Sequence, residues 1–78
     1  MDIAIAFGRV LRRVRLERGL TQEALAAQAG LQRNYVSLME RGHHQPTLST
    51  IIVLAVALKC SPLVLVELTL EQASIESA

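Results

Sequence analysis

The chain has 78 residues, enough for one small domain, and its 8 basic and 7 acidic residues give a net charge of +1. Half of the residues are hydrophobic, but only Phe7 and Tyr35 are aromatic. A core of small aliphatic side chains suits a compact helical bundle, and so small a domain gains stability from forming an oligomer. A single cysteine, Cys60, excludes an internal disulfide, and one Cys beside the pair His43-His44 matches no familiar metal site. We therefore expect neither a metal nor another cofactor.

The absence of other sequence signals limits the expected cellular location and the expected functional class of the protein. The first residues lack a basic region followed by an apolar run, so no signal peptide is predicted. The longest apolar run, residues 51–58, is too short to span a bilayer. No glycine-rich phosphate loop or carboxylate cluster is present, and no nucleophile has a recognisable setting. These observations predict a cytoplasmic protein that is not an enzyme and does not enter a membrane.

Charge is distributed unevenly along the chain. Residues 1–42 hold seven Arg and four Asp or Glu, a balance of +3, whereas residues 43–78 hold one Lys and three Glu, a balance of −2. A basic first half indicates that one face meets a polyanion. A mixed, solvated surface is the alternative interpretation.

The spacing of apolar residues and the turn signals predict five helices. The first covers residues 3–18, the second follows Thr21 and ends near Gly30, and the third covers 32–41. Further capping hydroxyls predict helix four at 48–59 and helix five at 62–72, after which the chain to residue 78 frays. The predicted core residues are Ile3, Phe7, Val10, Leu11, Val14, Leu25, Ala29, Val36, Met39, Leu48, Ile51, Ile52, Leu54, Ala55 and Leu58, with Ile75 the only core residue of the tail.

Residues 20–42 predict a helix-turn-helix, with the motif itself at about 21–41. Thr21 can cap the first of its two helices, and Gly30 can adopt the positive φ that ends it. A glycine-containing turn of this length between two short helices is typical of the motif whose second helix enters the major groove of DNA. The sequence therefore places DNA recognition on helix three.

Several short motifs lie in this region and in the part of the chain that follows it. They are Leu20-Thr21-Gln22-Glu23, Leu25-Ala26, Ala29-Gly30-Leu31, Tyr35-Val36-Ser37, Glu40-Arg41-Gly42, Pro46-Thr47-Leu48 and Leu54-Ala55-Val56-Ala57-Leu58. As a set they resemble the Cro/repressor-type helix-turn-helix domains, the XRE family, over about residues 7–62. The resemblance implies an all-α, five-helix, lambda-repressor-like bundle that forms a single domain over residues 1–78.

Five residues of helix three are candidates for reading DNA bases: Gln32, Arg33, Asn34, Ser37 and Leu38. An Arg side chain can bind guanine O6 and N7 together, an Asn can bind adenine N6 and N7, and an apolar side chain can touch a thymine methyl. The resemblance implies the same five positions. This chain departs from the family at Gln32, where a capping residue is usual, and at Leu38, where a polar residue is common. Ordinary surface side chains are the alternative interpretation.

A second set of residues is expected to contact the DNA backbone. Gln22 lies in the first turn of helix two, where a helix N-terminus favours anions, and the resemblance implies that it also braces the first base-reading residue. Such contacts fix the register of the protein without reading sequence, and a solvated side chain is the alternative for each. The further candidates are Arg12, Arg41, His43, His44 and Gln45.

The resemblance also implies a structural ion pair between Arg15 and Glu40. This pair would tie helix one to the end of helix three, and Glu40 itself would not touch DNA.

Helix five is apolar nearly all round, and helix four carries valines where family members often have polar residues. A small bundle covers one side of such a helix, and a contiguous apolar surface left exposed usually marks an interface. Complete burial of helix five is the alternative. The expected interface of a twofold homodimer consists of Val53, Val56, Leu63, Val66 and Leu70.

These observations predict a sequence-specific DNA-binding transcriptional regulator that acts as a homodimer on a (pseudo)palindromic operator, without a small-molecule effector. A chain with no further domain for a ligand resembles the small controller proteins of restriction–modification systems and the phage Cro-type switches. The small size, the run Asn34-Tyr35-Val36-Ser37 and the apolar helix five favour the controller proteins. The alternative is an antitoxin or another protein-interaction module that docks a partner through helix five.

Overall fold

The computed structural model describes residues 1–77, which form five helices and no strand. The predicted all-α bundle is confirmed, and the first four helices begin and end within two residues of the predicted bounds. The helices are α1 (Ile3–Glu17), α2 (Gln22–Ala29), α3 (Arg33–Glu40), α4 (Leu48–Ala57) and α5 (Pro62–Ser77).

Side-chain caps explain where most of these helices begin. Thr21 Oγ1 accepts a hydrogen bond from the Ala24 N–H at 3.0 Å, and Thr47 Oγ1 accepts one from the Thr50 N–H at 3.1 Å. Each bond satisfies one of the free N–H groups of a first turn. Asp2, which the sequence prediction had not used, caps α1 in the same way.

The core takes side chains from all five helices. Leu11, Leu25, Met39, Leu54 and Leu65 are fully buried and come one from each helix. Around them lie nine further buried apolar residues, seven of which belong to the predicted core, so most of that core is confirmed. These residues are Phe7, Val10, Val14, Ala26, Ala29, Val36, Ala55, Ala57 and Leu58.

Two predicted core residues of α4 are exposed instead. Leu48 is 73% exposed and Ile52 is 45% exposed, so their assignment to the core was wrong. They lie four residues apart and share one side of the helix, whereas Leu54 and Leu58 face inward. Nearly every residue of α4 is apolar, so the sequence carries little periodicity that could distinguish the two sides.

The end of α5 also differs from the prediction. The helix continues to Ser77 rather than ending near residue 72, and Ala73 is buried while Ile75 is exposed. The predicted fraying is therefore wrong for residues 73–77, and residue 78 lies outside the described part of the chain. Two polar contacts hold this last turn: Glu76 accepts from Gln72 Nε2 at 2.7 Å and pairs with Arg9 at 3.1 Å.

The helices pack in a ring, in which α1 contacts both α3 and α5. On the opposite side, α2 packs against α3 and α4, and α4 packs against α5. Within residues 1–77 no single helix is long and apolar enough to cross a membrane, although α4 and α5 would pass that test together as a pair bent by 108°.

Candidate nucleic-acid interface

The turn between α2 and α3 has the geometry that the sequence predicts. Gly30 has φ +70°, and the Leu31 N–H donates to the Ala26 carbonyl at 2.8 Å. The left-handed glycine reverses the chain direction while the hydrogen bond closes the end of α2. Val36 and Met39 are fully buried, and together they fix which side of α3 faces the protein.

The predicted base-reading residues lie on the free side of α3. Gln32, Arg33 and Asn34 are exposed at its N-terminal end, and Ser37 and Leu38 are half-buried one turn later. Gln32 occupies the N-cap position, but its side chain makes no capping hydrogen bond. Its amide is therefore not used for capping the helix that it begins.

Three helices meet at the Glu40 carboxylate. Arg15 donates from Nε to Oε2 at 2.6 Å and from Nη2 to Oε1 at 3.0 Å, and Gln22 Nε2 donates to Oε1 at 3.1 Å. The Glu40 side chain is only 3% exposed, so its negative charge is enclosed and matched by Arg15. The hydrogen bond to Glu40 raises the pKa of Arg15, against the opposing effect of burial.

This arrangement bears on the expected role of Gln22. Its amide N–H is already bonded to Glu40, and the residue is half-buried. Gln22 therefore links the start of α2 to the end of α3, and a backbone contact with DNA would draw on its remaining N–H and its carbonyl oxygen.

The other candidates for backbone contacts are all exposed. Four of them, residues 41, 43, 44 and 45, follow α3 directly, and Arg12 lies one turn before Arg15 on α1. The His43 N–H donates to the Leu38 carbonyl at 2.9 Å, which holds the start of this loop against the end of α3.

One contact in this region was not anticipated from sequence. The rings of Tyr35 and His44 meet edge to face, with centroids 6.1 Å apart and planes at 75°. This arrangement is favourable for two aromatic rings, and it orients the His44 imidazole beside α3. A loop histidine nine residues after a tyrosine carries no spacing signal that could have predicted it.

The expected dimer residues are apolar side chains that α4 and α5 leave uncovered. Val53, Val56, Leu63, Val66 and Leu70 are all exposed. Two of them, Val66 and Leu70, also line an apolar groove of about 220 Å³ between α1, α4 and α5. The complete lining of the groove is Ile3, Phe7, Gln45, Pro46, Ile51, Val66, Thr69 and Leu70.

Known proteins share both the sequence pattern and the fold. Residues 11–65 match a family model described as helix-turn-helix. The chain is 42% identical over 66 residues to the uncharacterized HTH-type transcriptional regulator y4dJ of Sinorhizobium fredii, a span of 85% of this chain and 86% of the relative.

Solved structures of restriction-modification controller proteins are similar as well. C.AhdI from Aeromonas hydrophila superposes with a TM-score of 0.78 at 44% identity, covering 80% of this chain and 94% of its own. A chain of C.Esp1396I, from the structure of its tetramer in complex with its natural 35 base-pair operator, gives a TM-score of 0.82 at 29% identity, covering 92% of this chain and 95% of its own. The chain described here therefore belongs to the helix-turn-helix family of DNA-binding transcriptional regulators, within the XRE type that its motifs indicate.

Proposed function

We propose that the protein binds a (pseudo)palindromic operator as a homodimer and regulates transcription there. The observation that carries this proposal is the free face of α3, where Arg33 and Asn34 are exposed at the end of a helix anchored by Glu40. Both side chains can form two hydrogen bonds to one base, which a single donor or acceptor cannot match for discrimination. A rigid anchor holds such groups in register.

The backbone contacts are assigned to Gln22, Arg12, Arg41, His43, His44 and Gln45. In this proposal they supply the affinity that depends on salt and not on sequence, whereas Gln32, Arg33, Asn34, Ser37 and Leu38 supply the discrimination. Enclosure of Glu40 supports the assignment, because an unpaired carboxylate at the end of α3 would repel phosphates.

The second protomer is assigned to the exposed apolar surface of α4 and α5. A twofold dimer presents two α3 helices to half-sites about one helical turn apart. The surface also suits another protein, so the antitoxin-like alternative predicts co-purification with a different chain, whereas the dimer predicts a self-associating protein that needs no partner.

The similarity to controller proteins suggests where the operator lies and how the protein is regulated. We expect it to act upstream of its own gene, with occupancy set by dimer concentration and not by a small molecule. We also propose a cytoplasmic, non-enzymatic role. Burial raises the pKa of the half-buried Cys60 thiol and favours its less reactive neutral form, which argues against Cys60 as a nucleophile.

Footprinting of the DNA upstream of the gene tests this function. Titration through the dimerisation range should protect two half-sites about 10 base pairs apart, centre to centre. A parallel selection from random duplexes guards against an operator elsewhere. Uniform protection, with no sequence recovered by the selection, would contradict the proposal.

A further inference from the structure

We propose that Gly8 is a positioning residue that sets the distance between the recognition helix α3 and the dimer surface, and thereby the half-site spacing that the protein accepts. This inference rests on the proposed dimeric function.

Gly8 lies inside α1 at a point where the backbone of α3 approaches closely. A Cβ atom at Gly8 would stand 2.3 Å from the Met39 carbonyl oxygen and 2.7 Å from that of Glu40. Both obstacles are main-chain atoms, which cannot move aside by a change of rotamer. A glycine in a helix interior costs stability compared with alanine, so its presence here has a reason in packing.

A second glycine makes a similar close contact, but here the glycine follows α3 and the residue that it faces lies on α1. Gly42 begins the loop after α3, and a Cβ atom there would stand 2.9 Å from Ile5 Cγ1 and 3.1 Å from Ile5 Cα. Ile5 and Gly8 are three residues apart and so share one face of α1. We call these two contacts the glycine seam, formed by Gly8 and Gly42 with the facing atoms of Ile5, Met39 and Glu40.

The seam lies on the structural route from DNA to the dimer surface. The same helix that contacts α3 through the seam also packs along α5, which carries Val66 and Leu70. Arg15, seven residues after Gly8, binds the Glu40 side chain. The missing side chain of Gly8 leaves room for the Glu40 backbone. The separation of the two recognition helices in a dimer therefore depends on how closely α1 and α3 approach.

A methyl group at Gly8 forces that approach to widen. Relief of a 2.3 Å contact requires a movement of about 1 Å, larger than the roughly 0.5 Å within which a binding constellation must be held. Twofold symmetry applies the displacement once in each protomer. The base-reading face of each α3 stays intact, whereas the distance between the two faces changes.

The test compares wild type with Gly8→Ala on duplexes whose half-site spacing is varied in single base pairs, and on a duplex with one half-site. We expect Gly8→Ala to lose about tenfold in affinity at the spacing that wild type prefers, and to lose that preference or shift it by one base pair. Affinity for the single half-site should change by less than about threefold. All titrations use conditions in which circular dichroism shows a folded protein.

Two controls separate positioning from stability. Val14→Ala removes buried volume from α1 outside the seam and should lower stability while keeping the spacing preference. Gly42→Ala is compared with Gly19→Ala, because both glycines have positive φ (+77° and +70°) but a Cβ at Gly19 meets nothing within 4 Å. Only Gly42→Ala should alter the spacing preference. If Gly8→Ala does not fold, the comparison of Gly42→Ala with Gly19→Ala tests whether the glycine seam sets the spacing.

The possible outcomes have distinct meanings. An unchanged spacing optimum in folded Gly8→Ala, or in Gly42→Ala where Gly8→Ala is unfolded, overturns the role of the seam and leaves the proposed function standing. A wild-type protein that shows no preference for paired half-sites contradicts the proposed dimeric function and with it this inference.

Discussion

Arg15 and Glu40 form a two-pronged ion pair, with Nε 2.6 Å from Oε2 and Nη2 3.0 Å from Oε1. Arg15 also donates from Nη1 to the Leu20 carbonyl at 2.8 Å, so one guanidinium joins α1 to the end of α3 and to the chain entering α2. The side chains are 10% and 3% exposed, which places the pair largely out of water. Such a pair orients its elements mainly because breaking it leaves a buried charge without a partner.

Arg15→Ala should therefore destabilise the domain strongly. The substitution leaves the Glu40 carboxylate enclosed with only Gln22 as a donor, and loss of one partner of a buried pair costs about 3–5 kcal/mol. Urea unfolding measures the loss. Arg13→Ala, an exposed arginine on the same helix, is the matched control and should stay within about 0.5 kcal/mol of wild type. Equal stabilities for the two variants would show that the pair contributes little.

Gln32→Ser should stabilise the fold while altering recognition. Gln32 begins α3 without a side-chain cap, and a serine there can accept from a free N–H of the first turn, with a gain of about 0.5–1 kcal/mol. Thr21→Ala, which removes a cap that is present, should lose about 1 kcal/mol. If Gln32 reads a base, Gln32→Ser also changes operator preference at one position in each half-site. Higher stability with wild-type preference at every base would remove Gln32 from the reading set.

Helix starts and turns were predictable because their chemistry is local. A capping hydroxyl or a glycine with positive φ acts within a few residues, so Thr21, Gly30 and Thr47 could be assigned from their neighbours alone. The end of α5 was not predictable in this way. Its last turn is held by Arg9, which is distant in sequence, and by the burial of Ala73, a residue with no strong hydrophobic signal.

The candidate site shows the same division between local and distant information. The order of residues along α3 indicated which side chains face outward, because Val36 and Met39 supply a helical period. The role of Gly8 was not predictable, because it depends on the carbonyl groups of Met39 and Glu40, more than thirty residues away in sequence. A glycine within an otherwise regular helix was the only sequence signal of that close approach.

If the proposed dimer forms, Leu70→Glu should convert it to a folded or partly unfolded monomer. Leu70 lines the apolar groove and is 54% exposed in the isolated chain. A glutamate at this position is therefore solvated in the monomer, but a second protomer would bury its charge without a partner. Leu16→Glu is the control, because Leu16 is 55% exposed but lies on α1 outside the groove. Sedimentation equilibrium at micromolar concentration distinguishes the two. A wild-type protein that is monomeric throughout this range would rule out the dimer.

Arg12→Ala should weaken binding to every DNA sequence by a similar factor. In the proposed interface Arg12 meets a phosphate, so its loss should reduce the slope of log K against log salt by about 0.9. Fluorescence anisotropy on operator and random duplexes, each at four salt concentrations, measures this slope. Arg9→Ala is the comparison, because Arg9 is paired with Glu76 and should leave the slope unchanged. A change in base preference in Arg12→Ala would mean that this residue reads sequence.

Arg33→Ala and Asn34→Ala should each abolish discrimination at one base pair per half-site while the protein still binds DNA. Both residues are exposed at the start of α3, the end that points into the groove in this motif, so stability should stay within about 0.5 kcal/mol of wild type. A lost bidentate contact removes roughly 1–3 kcal/mol of preference for the correct base, and the phosphate contacts remain. The ratio of specific to nonspecific affinity therefore falls, whereas nonspecific affinity changes little. Titration against operators altered one base at a time measures both quantities, with Ser49→Ala, an exposed residue on α4, as the control. Wild-type preference at every position in both variants would show that α3 is not the reading helix.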